Sequence, residues 1–323
     1  MSEFRQDPLS RRWVIIGGER AGRPNEFVEA ATRASGLSCP FCAGHEADTP
    51  PAIATYGANG KGKWLVRVVP NKYPALTPEE SHAVASDSAV GFGCHEVIIE
   101  SPRHVASLSE LTDAEAEAAF AAYRDRLGRL KSEGPYRYVQ IFKNVGPAAG
   151  ASLEHVHSQL VALPTVPAVV EQELVSSGEY FRQHRQSILL AMLEQETAAG
   201  ERIVAQTERF VALCPYASRF AYEVWIVPRR HQPRYEDIEP GEIGELSRLV
   251  REMIGCIERT IGQVAYNYFL HTQPFDMPAY DHYHWHIEII PRLTKVAGFE
   301  WSTGCFINPY APESAAAHLR ATY

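Results

Sequence analysis

His95-Glu-Val-Ile-Ile-Glu-Ser-Pro-Arg-His104 returns further along the chain as Tyr222-Glu-Val-Trp-Ile-Val-Pro-Arg-Arg-His231. Both runs are short, apolar and closed by a Pro/Arg turn, the pattern of a buried strand. The segments downstream of the two runs are also alike. Thr112 and Glu115 fit a capping box, after which Phe120, Tyr123, Leu127 and Leu130 fall on one helical face. In the second half Pro240 opens a helix whose apolar face is Ile243, Leu246, Val250, Met253 and Ile257. Each helix leads to an apolar strand, 136–144 (YRYVQIFKN) and 266–272 (YNYFLHT), and then to a His-x-His, His155/His157 and His284/His286. The offset is 127 residues from His104 to His231 and 129 from His155 to His284. Four consecutive elements in one order at nearly one offset make a tandem repeat.

The repeat predicts an α+β fold of two tandem units, each a mainly antiparallel sheet with one long helix, joined into one pseudo-symmetric body. A division at residue 195 gives units 1–195 and 196–323. Between them, the segment from about Pro164 to Gly200 carries a helical pattern and no Gly/Ser linker character. Packed contact with little hinge freedom is expected there.

Composition narrows the function. Among 323 residues, 31 basic face 39 acidic side chains, a net charge of −8, and 45% are hydrophobic. That is the balance of a folded globular chain and argues against non-specific nucleic-acid binding. No apolar run approaches the ~20 residues that span a bilayer, so no membrane segment is expected. The start, MSEFRQDPLSRRW, lacks the apolar centre of a signal peptide, and a cytoplasmic location is expected. Cys94, Cys214, Cys256 and Cys305 lie scattered among apolar neighbours and read as ordinary buried thiols.

Two constellations suit metal. Cys39-Pro-Phe-Cys42 sets two thiols at the spacing that grips a tetrahedral zinc from a tight turn. A redox pair is the rival for any C-x-x-C, but it needs a strand before and a helix after. Here both flanks read as loop, and two inert thiols are the third alternative. His45, His95, His104 and His155 are the candidates for the two further ligands. The second constellation is His284 and His286 with His271 on the preceding strand. Residues two apart on a strand share a face, and three histidines with a carboxylate suit iron or zinc. The competing reading is a set of surface histidines in a Tyr/His-rich segment.

The stretch before the first His-x-His runs Asn144-Val-Gly-Pro-Ala-Ala-Gly150-Ala-Ser152. Glycine lets backbone N–H groups approach a ligand, and Asn and Ser add polar contacts suited to phosphate. A neutral His157 imidazole aimed at phosphorus would divide a nucleotidyl transfer into two displacements through a phospho-histidine. Gln159 stands where a third histidine could have protonated a poor leaving group. A glutamine cannot do so, which favours transfer between phosphates over hydrolysis of an amine-linked nucleotide.

With these residues in place, the sequence resembles the galactose-1-phosphate uridylyltransferase family of the histidine-triad superfamily. The resemblance runs from Asp7-Pro8-Leu9 to the region of Ile307-Asn308-Pro309. Its most specific parts are D-P-x-x-x-x-W-V-I, C-P-F-C, the S-P-x-H of 101–104, and N-x-G-x-x-x-G-x-S-x-x-H-x-H-x-Q from Asn144 to Gln159. The resemblance implies zinc on Cys39, Cys42, His104 and His155, a nucleotidylated His157, and Gln159 on the transferred phosphoryl group. It implies nucleotide or phosphate contacts from Arg20, Arg23, Asn71, Asn144, Gly150 and Ser152, with Asn308 near the sugar. Glu173, His271, His284 and His286 match a second metal site, iron or zinc, of some members. The implied activity is uridylyl exchange between UDP-glucose and galactose 1-phosphate, in galactose metabolism, by a homodimer. The sequence departs from the usual H-P-H-G-Q by reading His-Val-His-Ser-Gln, and it carries Asn308 in place of a frequent glutamine. Both departures resemble relatives that use ADP-glucose with phosphate as acceptor, although those relatives tend to lack the second His-x-His kept here.

Overall fold

The strands forecast by the repeat all form, and they join across the two halves. The structure is a computed structural model that describes residues 2–18, 39–57, 63–78 and 91–323. In chain order it has β1 (Glu3–Gln6), β2 (Trp13–Ile16), β3 (Ala54–Tyr56), β4 (Val66–Pro70), β5 (Cys94–Ile99), α1 (Asp113–Glu133), β6 (Tyr138–Val145) and β7 (His157–Leu163). Then come α2 (Ala168–His184), α3 (Ile188–Ala199), β8 (Ile203–Gln206), β9 (Phe210–Leu213), β10 (Val224–Pro228), α4 (Pro240–Ile261), β11 (Tyr266–His271) and β12 (His286–Pro291). The chain closes with α5 (Gly298–Thr303), β13 (Phe306–Asn308) and α6 (Pro312–Thr322).

One antiparallel sheet takes the order β3-β4-β5-β7-β6-β11-β12-β10-β9-β8. The order β4-β5-β7-β6 is mirrored as β11-β12-β10-β9 about the seam between β6 and β11. That seam pairs Lys143 with Tyr268 and Phe142 with Phe269. α1 and α4 pack side by side against the sheet, and Phe120, Leu127, Leu246 and Val250 are fully buried in the shared core. Burying each such side chain contributes about 1.5–3 kcal/mol. Local chemistry sets the helix starts. Thr112 and Glu115 close the capping box of α1, and Pro240 occupies the first turn of α4.

Three features differ from the sequence reading. The helical link is broken at Arg185, which takes a left-handed conformation (φ 56°) between α2 and α3. Residues 3–16 pack with the second half, although a cut at 195 assigns them to the first unit. β2 pairs with β1 on one side and, in parallel, with β13 on the other, and Arg5 bonds Glu313. Leu9 packs with Ile188, Leu213 and Trp225. Nonlocal pairing decides this, and no local pattern announces it. Finally, Cys214 and Cys256 are buried, but Cys94 and Cys305 are only half-buried. Among the described residues no helix is long and apolar enough to cross a membrane.

Candidate active site and metal centres

Strand register places the nucleophile candidate. His157 pairs with Ile99 and Ile99 with Arg67, so these three share one row and one face of the sheet. The next row on that face is Gln159, Val97 and Val69. His157 is 7% exposed, and its Nδ1–H donates to the carbonyl of His155 at 2.7 Å. That bond fixes the tautomer and leaves Nε2 as the bare nitrogen. Burial holds the imidazole pKa below its usual value, which keeps the ring neutral.

Gln159 is oriented by a residue the sequence reading placed elsewhere. The Ala75 N–H donates to His95 Nδ1 at 3.1 Å, so His95 Nε2 carries the proton and donates to Gln159 Oε1 at 2.9 Å. With its oxygen engaged by His95, the NH2 group is the donor that Gln159 has left. Asn71 lies beside the same His95 nitrogen at 3.0 Å. His95 was one of four candidates for zinc, and here it positions Gln159.

The loop after β6 is anchored from the second half. Asn267 on β11 donates to both Asn144 Oδ1 at 2.8 Å and the carbonyl of Ala149 at 2.9 Å. This leaves the Asn144 NH2 as its remaining donor. The expectation of backbone donors around Gly150 is corrected. The N–H groups of Ala149 and Ala151 are taken by Gly146 O, and that of Gly150 by Pro147 O. Ser152 is exposed at the end of the loop. Arg20 and Arg23 lie outside the described residues.

The cysteine pair finds its partners. Cys39, Cys42, His104 and His155 bring one ligand atom each within 4.8 Å of one another. Sγ of Cys42 lies 3.4 Å from His104 Nδ1 and 3.6 Å from His155 Nδ1, and Cys39 Sγ lies 3.5 Å from His155 Nδ1. A tetrahedral ion with Zn–S near 2.3 Å and Zn–N near 2.05 Å requires S···N edges of about 3.6 Å. The residues therefore fit zinc. His155 Nε2–H donates to Ser101 O at 2.8 Å, turning a bare Nδ1 to the thiols. Burial, and then Cys39, pushes the Cys42 thiol up to about 11, so a thiolate pair here calls for a cation. His45, the other candidate, faces Asp48.

The second constellation assembles in part. Glu173, His271 and His286 form a fully buried group, with His271 Nδ1 at 2.9 Å from Glu173 Oε1. His286 Nε2 is buried without a hydrogen-bond partner, as a metal-binding nitrogen would be. Burial lowers the pKa of His271, but Glu173 and Glu288 outweigh it and raise the group, so the histidine and carboxylate also pair directly. His284 does not join them. β12 begins only at His286, so the two histidines do not share a strand face. His284 Nε2–H instead donates to Pro228 O at 2.9 Å. In the repeat it occupies the place of His155, whose Nε2 is likewise tied to a carbonyl. His231 stands by His284 as His104 stands by His155, at ring separations of 5.6 and 5.3 Å, and among the described residues the cysteines have no counterpart there.

Asn308 is corrected as well. It is fully buried, its NH2 donates to Ser218 O, and its oxygen accepts from Tyr310 N–H, both at 2.9 Å. With no exposed surface, the side chain offers nothing to a ligand as it stands. The residues not singled out from sequence are Phe41, edge-on to His157 at 5.2 Å, and Arg67, whose buried Nη1 has no partner. Phe41 is carried by the C-P-F-C motif itself. Below the sheet lies a buried polar group of Glu100, Tyr123, Lys143, Ser158 and Tyr268, of which only Tyr123 was named from sequence, as part of a helix face.

Known proteins are similar to this chain along its whole length. A family model described as a domain of unknown function (DUF4921) matches residues 72–322. ADP-glucose phosphorylase of Arabidopsis thaliana is 33% identical over 329 residues, covering 98% of this chain and 92% of that protein. Galactose-1-phosphate uridylyltransferase of Thermotoga maritima is 28% identical over 335 residues, covering 100% of this chain and 99% of that protein. The crystal structure of the Arabidopsis thaliana phosphorylase with bound ADP-glucose matches with a TM-score of 0.89 over 100% of both chains. Fold, motifs and full-length similarity agree, and the chain belongs to the galactose-1-phosphate uridylyltransferase-like family of histidine-triad nucleotidyltransferases.

Proposed function

We propose that the protein transfers an adenylyl group from ADP-glucose to inorganic phosphate through a covalent nucleotidyl-His157. The observation that carries the covalent step is the bond from His157 Nδ1–H to His155 O, which leaves Nε2 bare in a buried, neutral ring. In the first displacement the Nε2 lone pair forms a bond to the α-phosphorus. The bond from that phosphorus to the bridging oxygen breaks, and glucose 1-phosphate leaves with the electron pair. A phosphate leaving group needs no proton, consistent with glutamine at position 159. In the second displacement a phosphate oxygen attacks, the P–N bond breaks, and its electrons return to Nε2, giving ADP. The Gln159 and Asn144 amides would donate to the phosphoryl oxygens as charge develops. Zinc on Cys39, Cys42, His104 and His155 would brace the turn whose carbonyl holds the nucleophile. A second metal, iron or zinc, would sit on Glu173, His271 and His286.

The adenine assignment rests on the 33% identity to the ADP-glucose phosphorylase across nearly all of both chains. A second reading, uridylyl exchange between UDP-glucose and galactose 1-phosphate, is favoured by the retained second His-x-His and the full-length similarity to a uridylyltransferase. Intact-protein mass after mixing with each nucleotide sugar separates them. An adenylyl increment supports the first reading and a uridylyl increment the second. No increment with either sugar, or one that persists in His157→Ala, rejects both.

A further inference from the structure

The β6–β7 ladder ends at the pair Phe142–Gln159, two residues short of His157. Beyond that pair β6 stays with β11 as far as Val145, while its pairing with β7 has ended. The His157 carbonyl thereby loses its strand partner on that side. An ammonium takes the vacant place: Lys143 Nζ donates to His157 O at 2.8 Å. Lys143 is fully buried beneath the sheet, on the face opposite the His157 ring, and it forms an ion pair with Glu100, also fully buried. Glu100 in turn accepts from Ser158 Oγ at 2.5 Å and from the hydroxyl of Tyr123, which also bonds Tyr268. The group thus reaches from the nucleophile to α1 and to β11 of the second half.

Resting on the nucleotidyl-transfer reading above, we propose that Lys143 is a positioning residue for that reaction. Its ammonium replaces the missing ladder bond and pins the backbone of His157 where the β6–β7 ladder has ended, and Glu100 neutralises it. His157 is then held at three points: ring Nδ1 by His155 O, carbonyl by Lys143, and ring edge by Phe41. A buried lysine costs a charge to bury, whereas an apolar side chain at 143 would fill the space equally well. The carbonyl it serves explains the charge.

The test compares wild type, Lys143→Met and the charge-balanced Lys143→Met/Glu100→Gln, which leaves no unpaired buried carboxylate. Single-turnover formation of the nucleotidyl adduct at saturating ADP-glucose and UDP-glucose is followed by intact mass. Losing a hydrogen bond from a charged donor corresponds to a slowing of about 10–100-fold in both variants. Nucleotide-sugar affinity and zinc content are expected to stay within about twofold of wild type. Adduct formation at the wild-type rate in the folded double variant overturns the proposal, whatever its melting temperature. Absence of any adduct in the wild type means instead that the nucleotidyl reading has failed. Positioning is then read from amide exchange in the double variant. Faster exchange confined to residues 156–158 upholds it, and unchanged exchange there overturns it.

Discussion

Two glycines in the loop after β6 look interchangeable in the sequence, but the structure predicts very different costs for replacing them. Gly146 has φ 79° and ψ 156°, a region open essentially to glycine alone. A Cβ there would lie 2.8 Å from Ala265 Cβ and 3.2 Å from Ala265 Cα, on the segment entering β11. Backbone strain of about 1–3 kcal/mol adds to overpacking of about 1–3 kcal/mol. Restricting the unfolded chain returns about 0.4–1 kcal/mol. Gly146→Ala should therefore destabilise by roughly 1–6 kcal/mol, centred near 3. Gly150 has φ 85° and ψ 17°, a left-handed conformation that alanine can adopt at about 1–2 kcal/mol. Its nearest neighbour to an added Cβ is Asn144 Nδ2 at 3.9 Å, ordinary contact. After the same unfolded-state correction, Gly150→Ala should cost about 1 kcal/mol or less. Urea unfolding of both variants, with adduct formation as a check on the native site, gives the comparison. Midpoint shifts corresponding to costs within about 1 kcal/mol of each other would refute the steric argument.

Cys39→Ser with Cys42→Ser is expected to abolish zinc binding at that site and slow adduct formation by about 10–100-fold, because His155 supplies the carbonyl that holds His157; metal analysis and rapid-quench mass spectrometry check it. His95→Leu removes the donor that fixes Gln159 Oε1, and one neutral hydrogen bond of about 1 kcal/mol corresponds to a fall of about fivefold in the rate of adduct formation. For Glu115, burial favours the neutral acid, but Arg103, Thr112 and Ser101 outweigh it and hold the carboxyl at about 2, below the reference value of 4.5. A depressed carboxylate stabilises the fold above its unfolded pKa and loses that contribution as pH falls. Stability should thus drop between about pH 4.5 and 2, and Glu115→Gln should flatten that part of the curve in urea titrations.

Six of the ten strands in the large sheet were legible because they carry their signal locally, whereas β3, β4, β8 and β9 were not read from the sequence. The His95–His104 run, the Thr112/Glu115 box and the strand that follows each His-x-His form as read, and the repeat is visible in the mirrored strand order. The cysteine pair was legible for the same reason. Spacing alone left four histidines as its partners and the resemblance implied His104 and His155; the fold sends His95 to Gln159 and His104 to the thiols. His284 misled because the rule of alternating faces needs both residues on a strand, and β12 starts one residue after Trp285. Lys143 and Glu100 gave no signal at all. A lysine near the end of YRYVQIFKN reads as a solvated strand end, and only α1 and β11 packing beneath it make it a buried charge. The placement of residues 3–16 on the second half depends on β13, about 300 residues away, and no local pattern can carry that.

The nitrogen that bonds phosphorus can be identified directly. Protein mixed with ADP-glucose or UDP-glucose, quenched in alkali and digested, yields the peptide containing His157 for fragmentation and phosphorus NMR. A nucleotidyl group on Nε2 of His157 is the expected result. A group on Nδ1 or on another residue, or an unmodified peptide during turnover, would contradict it.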